Sequence, residues 1–184
     1  MPPPKKAAKK AAKKAPKKFA GHHHDLRRAY EHMGRLGVLQ KSLESSTAHA
    51  VSILAKFAEI EIKAGHNKDA ADLLRASEHM SFAVLAGSGH GFGRISAELK
   101  QSITEHFNEL TRRADEHWEN EEQHSSALAQ FYQSSREGAV KALKEGAYHR
   151  ALEFARAAEA LAHVRQDRQP KLETDVGKLQ LECA

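Results

Sequence analysis

From Asp25 to Gln166, apolar side chains return at intervals of three and four, the period of a helix with one buried stripe rather than the alternation of a half-buried strand. Leu39, Leu43, Ala50, Ile53, Leu54, Phe57, Ile60 and Ile62 carry the first series, and Asp25 is placed to cap its start. Gly34 and Gly37 fall inside this stretch and are expected to bend or break it near Leu36. Gly65-His66-Asn67 is the stop, because glycine readily takes the left-handed conformation just past a helix end. A second helix is expected from Lys68 to Ala86, with Leu73, Leu74, Met80, Phe82 and Leu85 on its apolar side. The glycine-rich stretch 87–94 interrupts the pattern. A third helical region runs from Ile95 to Glu145, with a break expected at 120–124 or at Gly138, and a fourth from Ala147 to Gln166. Residues 167–184, with Pro170 and Gly177, form a C-terminal segment read as a short helix. No proline lies between residues 17 and 169, which favours helices over a turn-rich sheet.

The chain also repeats itself. Arg27-Arg28-Ala29-Tyr30-Glu31-His32 matches Arg112-Arg113-Ala114-Asp115-Glu116-His117 at an offset of 85. Gly65, Ala70, Arg75, Ala76 and Glu78 match Gly146, Ala151, Arg156, Ala157 and Glu159 at an offset of 81. Two matches in the same order and at nearly the same offset predict two related halves, 25–86 and 95–166, joined by the linker 87–94. In the second half, Gly146 is followed by Tyr148, Ala151, Leu152, Phe154, Ala155, Ala158 and Leu161. This stretch resembles part of a tetratricopeptide-type repeat, in which small residues let helices approach closely and aromatics fill the gap. The family's early Trp and closing Pro are missing. The expected fold is therefore all-α: a duplicated helical hairpin forming a four-helix bundle or a short tetratricopeptide-like stack.

Charge changes the picture at one end only. The first eighteen residues hold eight lysines and no acidic side chain: Lys5, Lys6, Lys9, Lys10, Lys13, Lys14, Lys17 and Lys18, as doublets four residues apart among Ala and Pro. The net charge of +5 thus divides into +8 in this tail and −3 in residues 19–184, where 21 basic residues face 24 acidic ones. Residues 1–24 are read as a disordered Lys/Ala/Pro-rich arm. Each lysine can neutralise one phosphate and release condensed counterions, so the arm's expected partner is nucleic acid. It resembles the lysine-rich tails of linker histones and bacterial histone-like proteins, and that resemblance implies DNA binding. No Arg, aromatic or amide lies among the lysines to read base edges, so such binding is sequence-independent.

Other residue patterns point to chemistry less directly. His117, Glu121 and His124 share one helical face, and Glu121-x-x-His124 has the spacing of carboxylate-bridged di-iron bundles. No second copy of that motif exists, so neither a metal nor a cofactor is expected. His22-His23-His24 on a flexible arm makes a poor metal cage. Arg112 with His117, and Arg156 with His163, resemble the short Arg-x4–6-His signature of HEPN ribonucleases. The resemblance implies metal-independent RNA cleavage, with His moving the 2′-hydroxyl proton and Arg steadying phosphorane charge. The glycine-rich segment lacks the phosphate-binding Gly-x-Gly-x-x-Gly and Gly-Lys-Ser/Thr patterns and reads as a hinge.

Cys183 is the sole cysteine, so no intrachain disulfide is expected, and no apolar run is long enough for a bilayer span. The cationic start has no hydrophobic stretch behind it, so a secretory signal is not expected either. The leading expectation is a non-enzymatic, cytoplasmic helical module, nucleoid-associated or nuclear if the arm binds DNA, which also meets itself or another protein. The HEPN-type ribonuclease is the alternative with chemistry; a protein-protein adaptor whose tail is only an address or solubility element is the alternative without it.

Overall fold

A computed structural model describes the protein over residues 18–87, 95–119 and 126–165. These residues form six helices and no strand: α1 (Lys18–Leu39), α2 (Ser45–Ala64), α3 (Asn67–Leu85), α4 (Ala97–Glu119), α5 (Ser126–Lys144) and α6 (Tyr148–Ala162). Each long helical region expected from the periodicity divides in two, so each half holds three helices. The linker residues 88–94, most of the arm and the segment 167–184 lie outside the described residues.

Three boundaries differ from the sequence expectation. Helix α1 already runs at Lys18, so Asp25 sits within it and residues 18–24 of the expected arm are helical. After Pro16 nothing obstructs the helix, and His, Ala and Phe extend it back from the buried anchor Ala29. Gly34 and Gly37 do not break α1, because neither has a positive φ and Leu36 between them is buried. The break comes after Leu39, where a 3₁₀ turn at Gln40–Ser42 leads into extended backbone at Leu43 and Glu44. Gly138 likewise stays within α5.

The two glycine stops after α2 and α5 have the same geometry. Gly65 takes φ 82° and Gly146 φ 75°. The amide of Gly65 donates to Ile62 O and that of His66 to Glu61 O, at 3.0 and 2.8 Å. Gly146 and Ala147 donate in the same way to Leu143 O and Ala142 O, at 3.1 and 2.9 Å. Both are Schellman endings that satisfy the last carbonyls of one helix and turn the chain directly into the next.

Helices α1 and α2 pack on α3, helices α4 and α5 pack on α6, and α3 packs on α6 at the centre. The central pair is antiparallel: His79 of α3 meets Glu153 near the start of α6, whereas Asp69 near the start of α3 meets Arg165 just past the end of α6. Alanines line both helices, with Ala70, Ala71, Ala76, Ala157, Ala158 and Ala160 fully buried, so the axes can approach closely while retaining good helix propensity. Larger side chains close the flanks: Leu54, Phe57, Leu73, Leu74 and Met80 in the first half, Leu128, Phe131 and Leu161 in the second. A smaller cluster of Phe107, Leu110, Ala151, Ala155 and Phe154 seals α4 and α5 onto α6. The repeat seen in the sequence has matching burial, since Ala29 and Ala114 are both fully buried, as are Ala70 and Ala151.

Candidate functional site

Of the arm lysines, Lys5, Lys6, Lys9, Lys10, Lys13, Lys14 and Lys17 lie outside the described residues, and Lys18 is the first residue of α1. Glu121 and His124 also lie outside them, so of that metal candidate set only His117 is placed. Among the described residues no three His, Cys, Asp or Glu side chains gather as a metal would need.

His117 and His163 do come together. Their ring centroids are 4.2 Å apart, tilted at 57°, where the last turn of α4 meets the C-cap of α6. His117 is exposed and His163 half-buried. Burial, reinforced by the positive charge of His117, Arg75 and Lys68, lowers the pKa of His163 to about 4, against a smaller opposing effect of Glu159. His163 is therefore a neutral imidazole at pH 7, able to accept a proton.

The arginines of the two signatures stand apart from that pair. Arg112 is exposed and its guanidinium is shared between Glu109 and Glu116 on its own helix, bonds that raise its pKa. Arg156 donates to Glu153 Oε1 at 2.6 Å, towards the opposite end of the α3–α6 seam. The guanidinium whose charge bears on His163 is instead Arg75 of α3, held loosely by Asp72 at 3.5 Å. Its Nε, like that of Arg113, is buried with no acceptor. Burial raises the carboxyl pKa of Asp72 despite Arg75 and Lys68 beside it.

The remaining polar groups form interhelix clasps. Glu78 of α3 receives His32 Nδ1 at 2.6 Å and Arg35 Nε at 2.7 Å from α1. Glu153 of α6 receives His79 Nδ1 at 2.7 Å from α3. These partners hold both glutamates below the ordinary carboxylate pKa although burial opposes it. Asp115 of α4 accepts Tyr132 Oη at 2.6 Å and both arms of Arg136 from α5, with Trp118 stacked flat on Tyr132 at 4.0 Å. Asp115 and Trp118 thus belong to a packed clasp between α4 and α5.

The sequence named His117 and His163 singly but not their contact, and it did not single out Arg75, which carries no motif at its own position. The signal was its repeat partner: Arg75 corresponds to Arg156, already singled out, at the offset of 81. No helix among the described residues is long and apolar enough to cross a membrane. Compared with protein-family models, curated proteins and solved structures, the chain matches none of them.

Proposed function

We propose that this protein is a sequence-independent nucleic-acid tether: the lysine arm grips phosphates, and the helical body holds or gathers the arms. The observation that carries the reading is the division of charge. The arm has eight lysines and no carboxylate, so no acidic side chain within it competes with phosphate. In the body, Arg27, Arg28, Arg35, Arg112, Arg113, Arg136 and Arg156 each lie in an ion pair with an Asp or Glu. A body of net charge −3 in which most of the described guanidiniums are internally paired offers phosphate little, so affinity is assigned to the arm. Self-association of the body would raise avidity by multiplying arms on one polyanion.

The test is a mobility shift of duplex DNA and single-stranded RNA across a salt series, with full-length protein beside a 19–184 truncation. Eight phosphate contacts predict a loss of affinity of about 10⁴ between roughly 50 and 200 mM salt on duplex DNA. The truncation should neither bind nor lose thermal stability. Binding retained by the truncated body overturns the assignment.

One observation favours a second reading, metal-independent RNA cleavage of the HEPN type: the contact of His117 with His163, one of them neutral at pH 7. In that reading His163 is the base and His117 the acid, with Arg75 in the phosphate-steadying role that the signature assigned to Arg112 and Arg156. Cleavage of the RNA in the same assay, unaffected by EDTA and abolished in His117→Ala and His163→Ala, is its expected result. Intact RNA with the full-length protein rejects it.

A further inference from the structure

The two halves carry matched ion pairs, and at one junction the match fails twice. In the first half His32 of α1 bonds to Glu78 of α3 at 2.6 Å. In the second half Arg156 of α6 bonds to Glu153, three residues before it, also at 2.6 Å. The counterparts of these residues are His117 with Glu159, and Arg75 with Asp72. Glu159 is instead held by Arg113 at 2.9 Å, and His117 faces the ring of His163. Asp72 is one methylene shorter than Glu153 and comes only to 3.5 Å from the Arg75 guanidinium, beyond the length of a strong charge-assisted bond. Arg75 Nε is buried and has no acceptor among the described residues. A buried donor on a permanent cation is costly to leave unmatched.

These groups lie together. Asp69 at the start of α3 accepts the amide of Arg165, so the first turns of α3 meet the C-cap of α6, which is His163. Lys68 and Arg75 flank Asp72 on one face of α3, with Lys68 at 3.7 Å. His117 reaches the same place from the last turn of α4. Around the His163 ring the positive charges are those of His117, Arg75 and Lys68, and the negative one is that of Glu159. Burial raises the pKa of Asp72, which makes it a poor counterion for its neighbours. Lys68, Arg75 and Arg113 against Asp72 and Glu159 leave one positive charge in excess while both imidazoles are neutral. Protonating one imidazole raises that excess to two.

We propose that this junction of α3, α4 and α6 binds the dianionic phosphate of a phosphate monoester. Its oxygens lie against the Arg75 guanidinium and the Lys68 ammonium, and His163 takes up a proton from solvent to donate to a further oxygen. His117 closes the exposed rim. The C-cap position suits a protonated His163, because the dipole of α6 favours a cation there. The inference concerns the site of the ribonuclease reading and names its ligand, but it requires no cleavage. A monoester is favoured over the diester of a nucleic-acid backbone because its second charge matches the second positive charge of the protonated site. Backbone binding therefore stays with the arm.

The experiment is an NMR titration of the full-length protein with methyl phosphate and, in parallel, with dimethyl phosphate, at about pH 7.5 and about 0.15 M NaCl. It is read at the Arg75 Nε–H and at the rings of His117 and His163, which occupancy of the arm leaves unmoved. Methyl phosphate should shift all three signals to saturation, and dimethyl phosphate should bind at least about tenfold more weakly. With methyl phosphate bound, His163 should titrate at a higher pH than in the free protein. Asp72→Glu restores the reach that Glu153 has, so it should occupy Arg75 internally and weaken methyl phosphate at least about tenfold. Lys68 is exposed in the first turn of α3, where an acidic residue suits the helix, so Lys68→Glu should fold normally and weaken methyl phosphate about fivefold or more. The Lys68→Glu result and the comparison of the two esters remain decisive even if Asp72→Glu unfolds. Equal affinity for the two esters, unmoved Arg75 and His163 signals, or unchanged methyl phosphate binding in Lys68→Glu overturns the proposal. Methyl phosphate binding with RNA left intact supports this site and rejects only the ribonuclease reading. Cleaved RNA with these signals unmoved by methyl phosphate overturns this site and keeps that reading.

Discussion

Protonation of His163 should set how the body responds to mild acid. In the folded protein its pKa is lowered to about 4 by burial and by the positive charge of His117, Arg75 and Lys68, whereas in the unfolded chain it takes the ordinary value of 6.5. Between those two values the unfolded chain binds a proton that the folded protein refuses. Stability therefore falls as pH drops from about 6.5 towards 4, and the loss is complete below the folded pKa. The full displacement corresponds to ~3 kcal/mol. The ring is only half-buried, so solvent screening reduces this to about 1–2 kcal/mol.

The assay is urea denaturation at a series of pH values from about 7.5 to 4.5, comparing wild type with His163→Gln. The variant should lose the acid-labile component and lie above wild type at the low end by about 1–2 kcal/mol more than at the high end. His117→Gln removes one of the charges acting on His163 and should give an intermediate slope. Glu78 and Glu153 do not mask this window. Glu78 and Glu153 have folded pKa values lowered from 4.5, so the stability they contribute is present above that value and lost only below it. Asp72, whose pKa is raised from 3.8 by burial, works in the opposite direction, gaining stability as it protonates. Parallel acid losses in wild type and His163→Gln, or an NMR titration placing His163 near 6.5, would refute the reasoning.

The glycines of the body should respond to an added side chain with opposite signs. A Cβ at Gly34 or Gly37 meets nothing within 4 Å, so Gly34→Ala and Gly37→Ala should each stabilise α1 by about 0.5–1 kcal/mol, read as a higher urea midpoint. A Cβ at Gly138 would lie 3.2 Å from the fully buried Phe154 ring, so Gly138→Val should cost about 1–3 kcal/mol by overpacking α5 against α6. At the central seam, Glu153→Gln leaves His79 and Arg156 without their carboxylate and should lower stability by about 2 kcal/mol in the same urea assay at pH 7. Arg112→Ala removes only exposed same-helix pairs and should leave the midpoint unmoved.

The all-helical class was legible because it rests on local signals. The three-and-four periodicity and the glycine stops at 65 and 146 are written into consecutive residues, and both glycines take the left-handed geometry expected of them. The missed break after Leu39 shows the limit of that approach. Glycine weakens a helix but does not end it when a neighbour such as Leu36 is buried, so tertiary packing decided the matter. The Arg-x4–6-His spacing named both His117 and His163, but neither their contact nor the partners of the arginines could be read from it. A carboxylate three or four residues away, as in Glu109–Arg112–Glu116, captures a guanidinium before any distant site can use it.

The internal repeat gives a way to separate scaffold from function in this chain. Several positions that agree between halves build the fold: Ala29 with Ala114, Gly65 with Gly146, Ala70 with Ala151, Ala76 with Ala157. Some disagreements preserve volume. The aromatic that fills the first half is Phe57 on α2, whose counterpart is Gly138 on α5, while α6 contributes Phe154 where α3 has Leu73. Bulk moves from one helix to the next, and the core remains filled. Other disagreements have no such compensation. Phe82 becomes His163, which brings an imidazole against His117. Asp69 becomes Arg150, which replaces a charge that suits a helix start with one that does not. Neither change improves packing, and each places a titratable or charged group where burial penalises it. Such substitutions weaken a bare scaffold, and both fall in the second of the two matched halves, at the two ends of α6.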